Sequence, residues 1–148
     1  MKLWALVSTE YPKQHDAICD LAAILIIETV STFALNARRA LEVLPESNKF
    51  QLDQKRWRSP LNDAEIVSDL WEGLNRIIHA QKLDALFADV NTEQAHIPAG
   101  SLAVTYVQAA TDRKKLALID PFALSHAFLF RALPLLVTTE QSSRKGED

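Results

Sequence analysis

Val67-Ser68-Asp69-Leu70-Trp71-Glu72-Gly73-Leu74-Asn75-Arg76-Ile77-Ile78-His79-Ala80-Gln81-Lys82-Leu83 is the stretch on which the fold turns. Val67, Leu70, Trp71, Leu74, Ile77 and Ile78 recur every three or four positions, the spacing that places side chains on one face of an α-helix. Upstream, Ser59-Pro60, or Asn62 with Glu65 three residues later, supplies a helix start. The pattern predicts a helix from about residue 60 to Leu83 or Phe87. Ser68, Glu72, Asn75 and His79 fall along the polar flank of the stripe. Gly73 lowers helix propensity by about 1 kcal/mol relative to Ala, and a close approach by another helix would explain it.

Working outward, Pro12 to Leu44 reads as one long helix without glycine, its proline at the tolerated first turn and Pro45 as its stop. Leu21 to Ile27 is apolar on nearly all sides, which predicts full coverage by other elements. Glu46 to Arg58 is a polar, locally basic connection whose Phe50, Leu52 and Trp57 suggest a strap on the core. Asp89 to Ser101 reads as loop. Leu102 to Ala109 and Leu116 to Ile119 flank a Thr111-Asp112-Arg113-Lys114 turn and predict a β-hairpin over 102–119. Asp120-Pro121 is an N-cap followed by an N1 proline. It opens an apolar helix over 121–133, with Pro134 as its stop. The expected fold is mainly α: a single-domain antiparallel helical bundle (1–137) with one β-hairpin before the last helix, and a polar, frayed or disordered tail over 138–148.

Composition sets bounds. A chain of 148 residues with 48% apolar residues can build one core, and 3 glycines favour long regular segments. A net charge of −3 argues against a surface coated in basic charge for non-specific nucleic-acid binding. The lone Cys19 excludes an internal disulfide and reads as a small buried hydrophobe. Leu21 to Ile27 falls far short of the ~20 residues of a membrane span. Met1 to Val7 lacks a cleavage pattern after it. No membrane association and a cytoplasmic location are therefore expected.

No glycine-rich phosphate loop, zinc-helix motif or nucleophile elbow is present, and His15, His79, His96 and His126 share no ligand spacing. Neither a metal nor a cofactor is expected. On the second long helix Asn75, Arg76 and His79 are mutual neighbours by spacing. An imidazole beside a guanidinium and an amide suits a phosphodiester: His79 as general acid or base, Arg76 as charge stabiliser, Asn75 as orienting group. The alternative is a surface histidine bonded to Asn75 or capping the helix. Arg38 and Arg39 could clamp phosphate oxygens, or be solvated with a salt bridge to Glu42 or to Asp or Glu on the next helix. His126 reads as a core or interface residue, and Arg113-Lys114-Lys115 as a solvated hairpin tip. Phe122, Leu124, Phe128, Leu129, Phe130, Leu133, Leu135 and Leu136 are more apolar surface than one face of a short helix buries, so self-association is expected.

Leu35-Asn36-Ala37-Arg38-Arg39-Ala40-Leu41-Glu42 on a long helix, followed by Leu74-Asn75-Arg76-Ile77-Ile78-His79-Ala80 on the next, resembles HEPN-type proteins. These are small helical domains, often dimeric, of toxins, phage defence and RNA processing. Active members resemble one another in a motif of Arg, a polar residue, about three residues, then His, serving metal-independent RNA cleavage at a dimer interface. Here Asn75 and His79 keep the spacing, and Leu74 stands where the family has Arg. The resemblance covers about Ala17 to Leu86. It implies a homodimer and RNA as a partner, with Arg38 and Arg39 as RNA-binding residues, and one of three roles: an endoribonuclease, a module that only docks RNA or an acidic protein, or a non-catalytic dimerising or regulatory interaction module.

Overall fold

The structure, a computed structural model, describes residues 12–45, 49–53, 63–89, 102–112 and 114–145. The expected helix start at Ser59-Pro60 or Asn62, most of the loop over 89–101, and Trp57, His96, Lys55, Arg56, Arg58 and Arg113 lie outside these residues, as does the end of the tail.

Helix α1 (Pro12–Leu41) is followed by a two-residue strand β1 (Glu65–Ile66) and helix α2 (Leu70–Ile78). Strands β2 (Lys82–Asp89), β3 (Leu102–Ala110) and β4 (Ala117–Ile119) come next. A long helical run closes the chain: α3 (Pro121–Ala127), a π-helical turn (Phe128–Ala132) and α4 (Leu133–Lys145). The strands form one mixed sheet in the order β1-β4-β3-β2, with β1 parallel to β4 and the other pairs antiparallel. The expected mainly-α antiparallel helical bundle is therefore corrected to helices packed with a four-stranded mixed sheet.

The correction arises in two places. Asp69, not residue 60, caps α2, its Oδ1 accepting from Glu72 N–H at 3.1 Å. Ahead of it, Glu65–Ile66 is extended, held by Glu65 N–H on the Leu116 carbonyl at 2.8 Å and Val67 N–H on that of Leu118 at 3.0 Å. At the far end the helix stops at Ile78, and the segment read as its last turns is β2. Leu83, Ala85 and Phe87 face the core, with exposed Lys82 before Leu83 and exposed Asp84 before Ala85, a period of two. Leu and Ala are good helix formers, but cross-strand pairing with the β-branched β3 overrides that preference. A register shift between Leu86 and Phe87 leaves Thr105 as an extra residue on β3; its hydroxyl donates to the Leu86 carbonyl at 3.1 Å.

α2 packs against α1 and against α3, with Leu70 and Leu74 at 0% exposure, and α1 also packs on β2. A Cβ on Gly73 would sit 2.8 Å from Leu124 Cδ1 of α3, so the close approach of a helix is what the glycine permits. Phe50 and Leu52 do strap the core: Leu70 N–H donates to the Phe50 carbonyl and Leu52 N–H to that of Ser68, both at 2.8 Å.

The last helix also differs from expectation. Asp120 caps it, accepting from Phe122 and Ala123 N–H at 2.8 and 3.0 Å. Pro134 does not end it, and residues 138–145 continue as helix rather than as a frayed tail. A proline ring collides with the carbonyl four residues back in a regular helix. Here the turn before it is widened, Leu133 N–H donating five residues back to Phe128. Leu21, Ile24 and Leu25 of α1 are also not covered as expected; they are 58%, 62% and 55% exposed. Cys19–Leu41 and Pro121–Thr139 are long and apolar enough, by length and composition, to cross a membrane, and 22% of each window is buried.

Tyr106, on the sheet face opposite Val107 by alternation, is 1% exposed. Burial first, and the Asp120 charge second, push its hydroxyl above the ordinary 10.0. The folded state therefore keeps the neutral phenol to higher pH than the unfolded chain does. That stability is fully present below pH 10 and is lost as pH rises through the folded value. Thermal melts at about pH 9 and about pH 11 should show a fall in midpoint that shrinks in Tyr106→Phe. An equal fall in both proteins would contradict it.

Candidate functional site

Asn75, Arg76 and His79 sit on the last turns of α2, but the structure sends them to three different tasks. Asn75 Oδ1 accepts from Arg38 Nε at 3.1 Å, joining α2 to α1. The same guanidinium lies over Trp71, Cζ 3.4 Å from the ring centroid, and its NH1 donates to Glu42 Oε1 at 2.7 Å. One planar cation thus serves an amide, a carboxylate and an indole face. The Arg38–Glu42 bridge foreseen from the i, i+4 spacing is present.

Arg76 turns the other way, into the protein, and is 5% exposed. NH2 meets Glu65 Oε2 at 2.6 Å and Glu72 Oε1 at 3.4 Å, and NH1 donates to the Lys115 carbonyl at 3.2 Å. It clamps α2 to β1 and to the chain entering β4. Its Nε has no hydrogen-bond partner among the described residues. A guanidinium committed in this way is poorly placed to meet developing charge on an incoming phosphate.

His79 is exposed and is the C-cap of α2, its backbone N–H donating to the Asn75 carbonyl at 3.0 Å. Its imidazole borders a cavity of about 580 Å³ lined also by Trp71, Asn75, Asp112 and Lys114. A second cavity of about 440 Å³ is lined by Arg38, Lys49, Asp69 and, like the first, Trp71. Arg39 is not in either lining; one position along α1 from Arg38, it lies on the exposed side of that helix.

Asn75, Arg76 and His79 thus border one groove, Arg38 reaches it through Asn75, and Arg39 does not line it. Arg38 lying over Trp71, and Glu65 as the anion of Arg76, do not follow from the sequence pattern. Glu72–Arg76 was readable as an i, i+4 pair, whereas Glu65 sits on a strand the sequence did not reveal. Lys114 does belong to an exposed turn, and that turn borders the groove. His126 is exposed, not core, and lies between Phe122 and Phe130 with ring centroids 6.3 and 4.7 Å away. Among the described residues no group of three or more His, Cys, Asp or Glu could hold a metal ion. No family model, no curated protein and no solved structure matches this chain.

Proposed function

We propose that the chain is a non-catalytic, self-associating interaction module. The observation that carries this reading is the large apolar surface left uncovered on two long helices. On the closing helix Phe122, Leu129, Phe130, Leu133, Leu135 and Val137 are 38% to 67% exposed. On α1, Leu21, Ile24, Leu25 and Leu35 are 49% to 62% exposed. Contiguous apolar surface beyond a few hundred Å² marks an interaction site. The two helices meet edge to face at Phe33 and Phe128, ring centroids 5.5 Å apart. Several exposed polar side chains on them return their hydrogen bonds to their own helix. Thr29 donates to the Leu25 carbonyl at 2.7 Å, Asn36 to that of Thr32 at 2.9 Å, and Thr139 to that of Leu135 at 2.9 Å. Such groups enter an interface without a lost partner.

The test is light scattering on the full chain at tens of micromolar. The expected result is twice the 16.6 kDa of one chain. A monomer at that concentration overturns the reading.

A second reading, docking of RNA, is favoured by one feature: the groove that combines Lys114, His79 and Asn75 beside the Arg38–Trp71 stack. Stacking surfaces with cations suit single strands. RNA binding that weakens with added salt, and weakens further in Lys114→Ala, supports it. Cleavage that resists EDTA and vanishes in His79→Ala would instead restore the ribonuclease expectation and displace the non-catalytic reading.

A further inference from the structure

We infer that the exposed face of α1 is a twofold, antiparallel interface with a second copy of this chain, and that Glu28 of each copy lies opposite Arg39 of the other. The inference rests on the self-association proposed above and adds its surface and register.

Leu21, Leu25, Glu28, Thr32, Leu35 and Arg39 are all exposed. Their spacing alternates four and three, which is the seam of two helices packed along their length. The opposite side of α1, at Ala22, Ile26, Val30, Ala34, Ala37 and Leu41, is the side buried in the domain. The seam is therefore free of the chain's own core.

The charge pattern selects the occupant. Glu28 and Arg39 have no ion-pair partner among the described residues. Eleven positions apart, they stand roughly 16 Å from one another along the axis and cannot pair within one helix. A second α1 running antiparallel, with its twofold axis between Phe33 and Ala34, sets each opposite the other twice. The same register places Thr32 against Leu35, and brings Ile24 towards Val43 in the turn that follows α1; Ile24 and Val43 are 62% and 65% exposed. Glu42, which falls opposite Leu25, is already neutralised by Arg38. An unpaired carboxylate in the middle of the stripe is costly against lipid hydrocarbon, and a second copy supplies its cation. The exposed residues of this face, each offering on the order of 100 Å², together approach the ~800 Å² per partner of a standard interface.

The experiment is a charge swap read by sedimentation equilibrium on the full chain, with circular dichroism melts showing that each variant is folded. Glu28→Arg and Arg39→Glu each set like charges opposite one another twice. Each should weaken the dimer by about tenfold or more, about 1.4 kcal/mol. The double variant Glu28→Arg/Arg39→Glu should recover to within about threefold of wild type. Dimers unaffected by either single change, or a double variant no better than the worse single one, overturn this register while leaving self-association standing. A wild-type monomer removes both. A monomer that floats with phosphatidylcholine vesicles removes the second copy as occupant and assigns the face to lipid.

Discussion

Arg76→Ala should lose about 3 kcal/mol of folding stability, within the range for breaking a buried ion pair on one side. The Arg76 side chain is 6% exposed, while those of its partners Glu65 and Glu72 are 45% and 39% exposed. The two carboxylates can return to water, which keeps the loss towards the low end of that range. What does not return is the Lys115 carbonyl, stripped of its donor, and the volume of the side chain. Arg76→Met refills the stem without the charge and should cost about half as much. Urea denaturation of the two variants measures both. A loss below about 1 kcal/mol in Arg76→Ala would show that the clamp between α2 and the β1–β4 edge is not holding the fold. If Arg76 acts only in this way, dimer formation in Arg76→Met should match wild type.

Leu74→Arg should fail to fold. The substitution would restore the arginine of the HEPN motif, yet Leu74 is 0% exposed on the core side of α2. A guanidinium there would have to leave water without a partner, a penalty of several kcal/mol. That is comparable with the whole stability of a small domain, ~5–15 kcal/mol. Leu74→Ala, which only opens a cavity, should cost about 2–5 kcal/mol and remain folded. Thermal melts followed by circular dichroism separate the cases. A folded Leu74→Arg that cleaves RNA would return the motif to this chain and sink the reading of position 74 as core.

The same residue shows what the sequence could and could not disclose. Asn75-x-x-x-His79 matches a motif by spacing, but spacing says nothing of which way residue 74 points until its neighbours pack. Features with short-range causes were legible: the long α1, the Asp120-Pro121 cap, the β-rich run before it, and the Arg38–Glu42 pair. Features decided by distant partners were not. Leu83 to Ala88 has the composition of a helix and becomes β2 because β3 lies beside it. Glu65 was read as part of a capping signal and is instead the anion of a buried arginine, aligned by pairing with β4. The Arg38–Trp71 stack needs α1 and α2 to cross at one point, which no local pattern encodes. Pro134 was a correct breaker signal, defeated by one wide turn.

That wide turn has a consequence for how the chain tolerates changes of length. A helix that gains one residue commonly stores it as a π-turn and keeps both flanking segments intact. The surplus residue between Phe128 and Ala132 is not idle here, because it clears the carbonyl that Pro134 would otherwise strike. Removing one residue from this turn would bring the helix back to ordinary pitch and swing everything beyond it by ~100°. The proline would then break the rod it now sits within. Insertions nearby could be absorbed, but this one deletion could not.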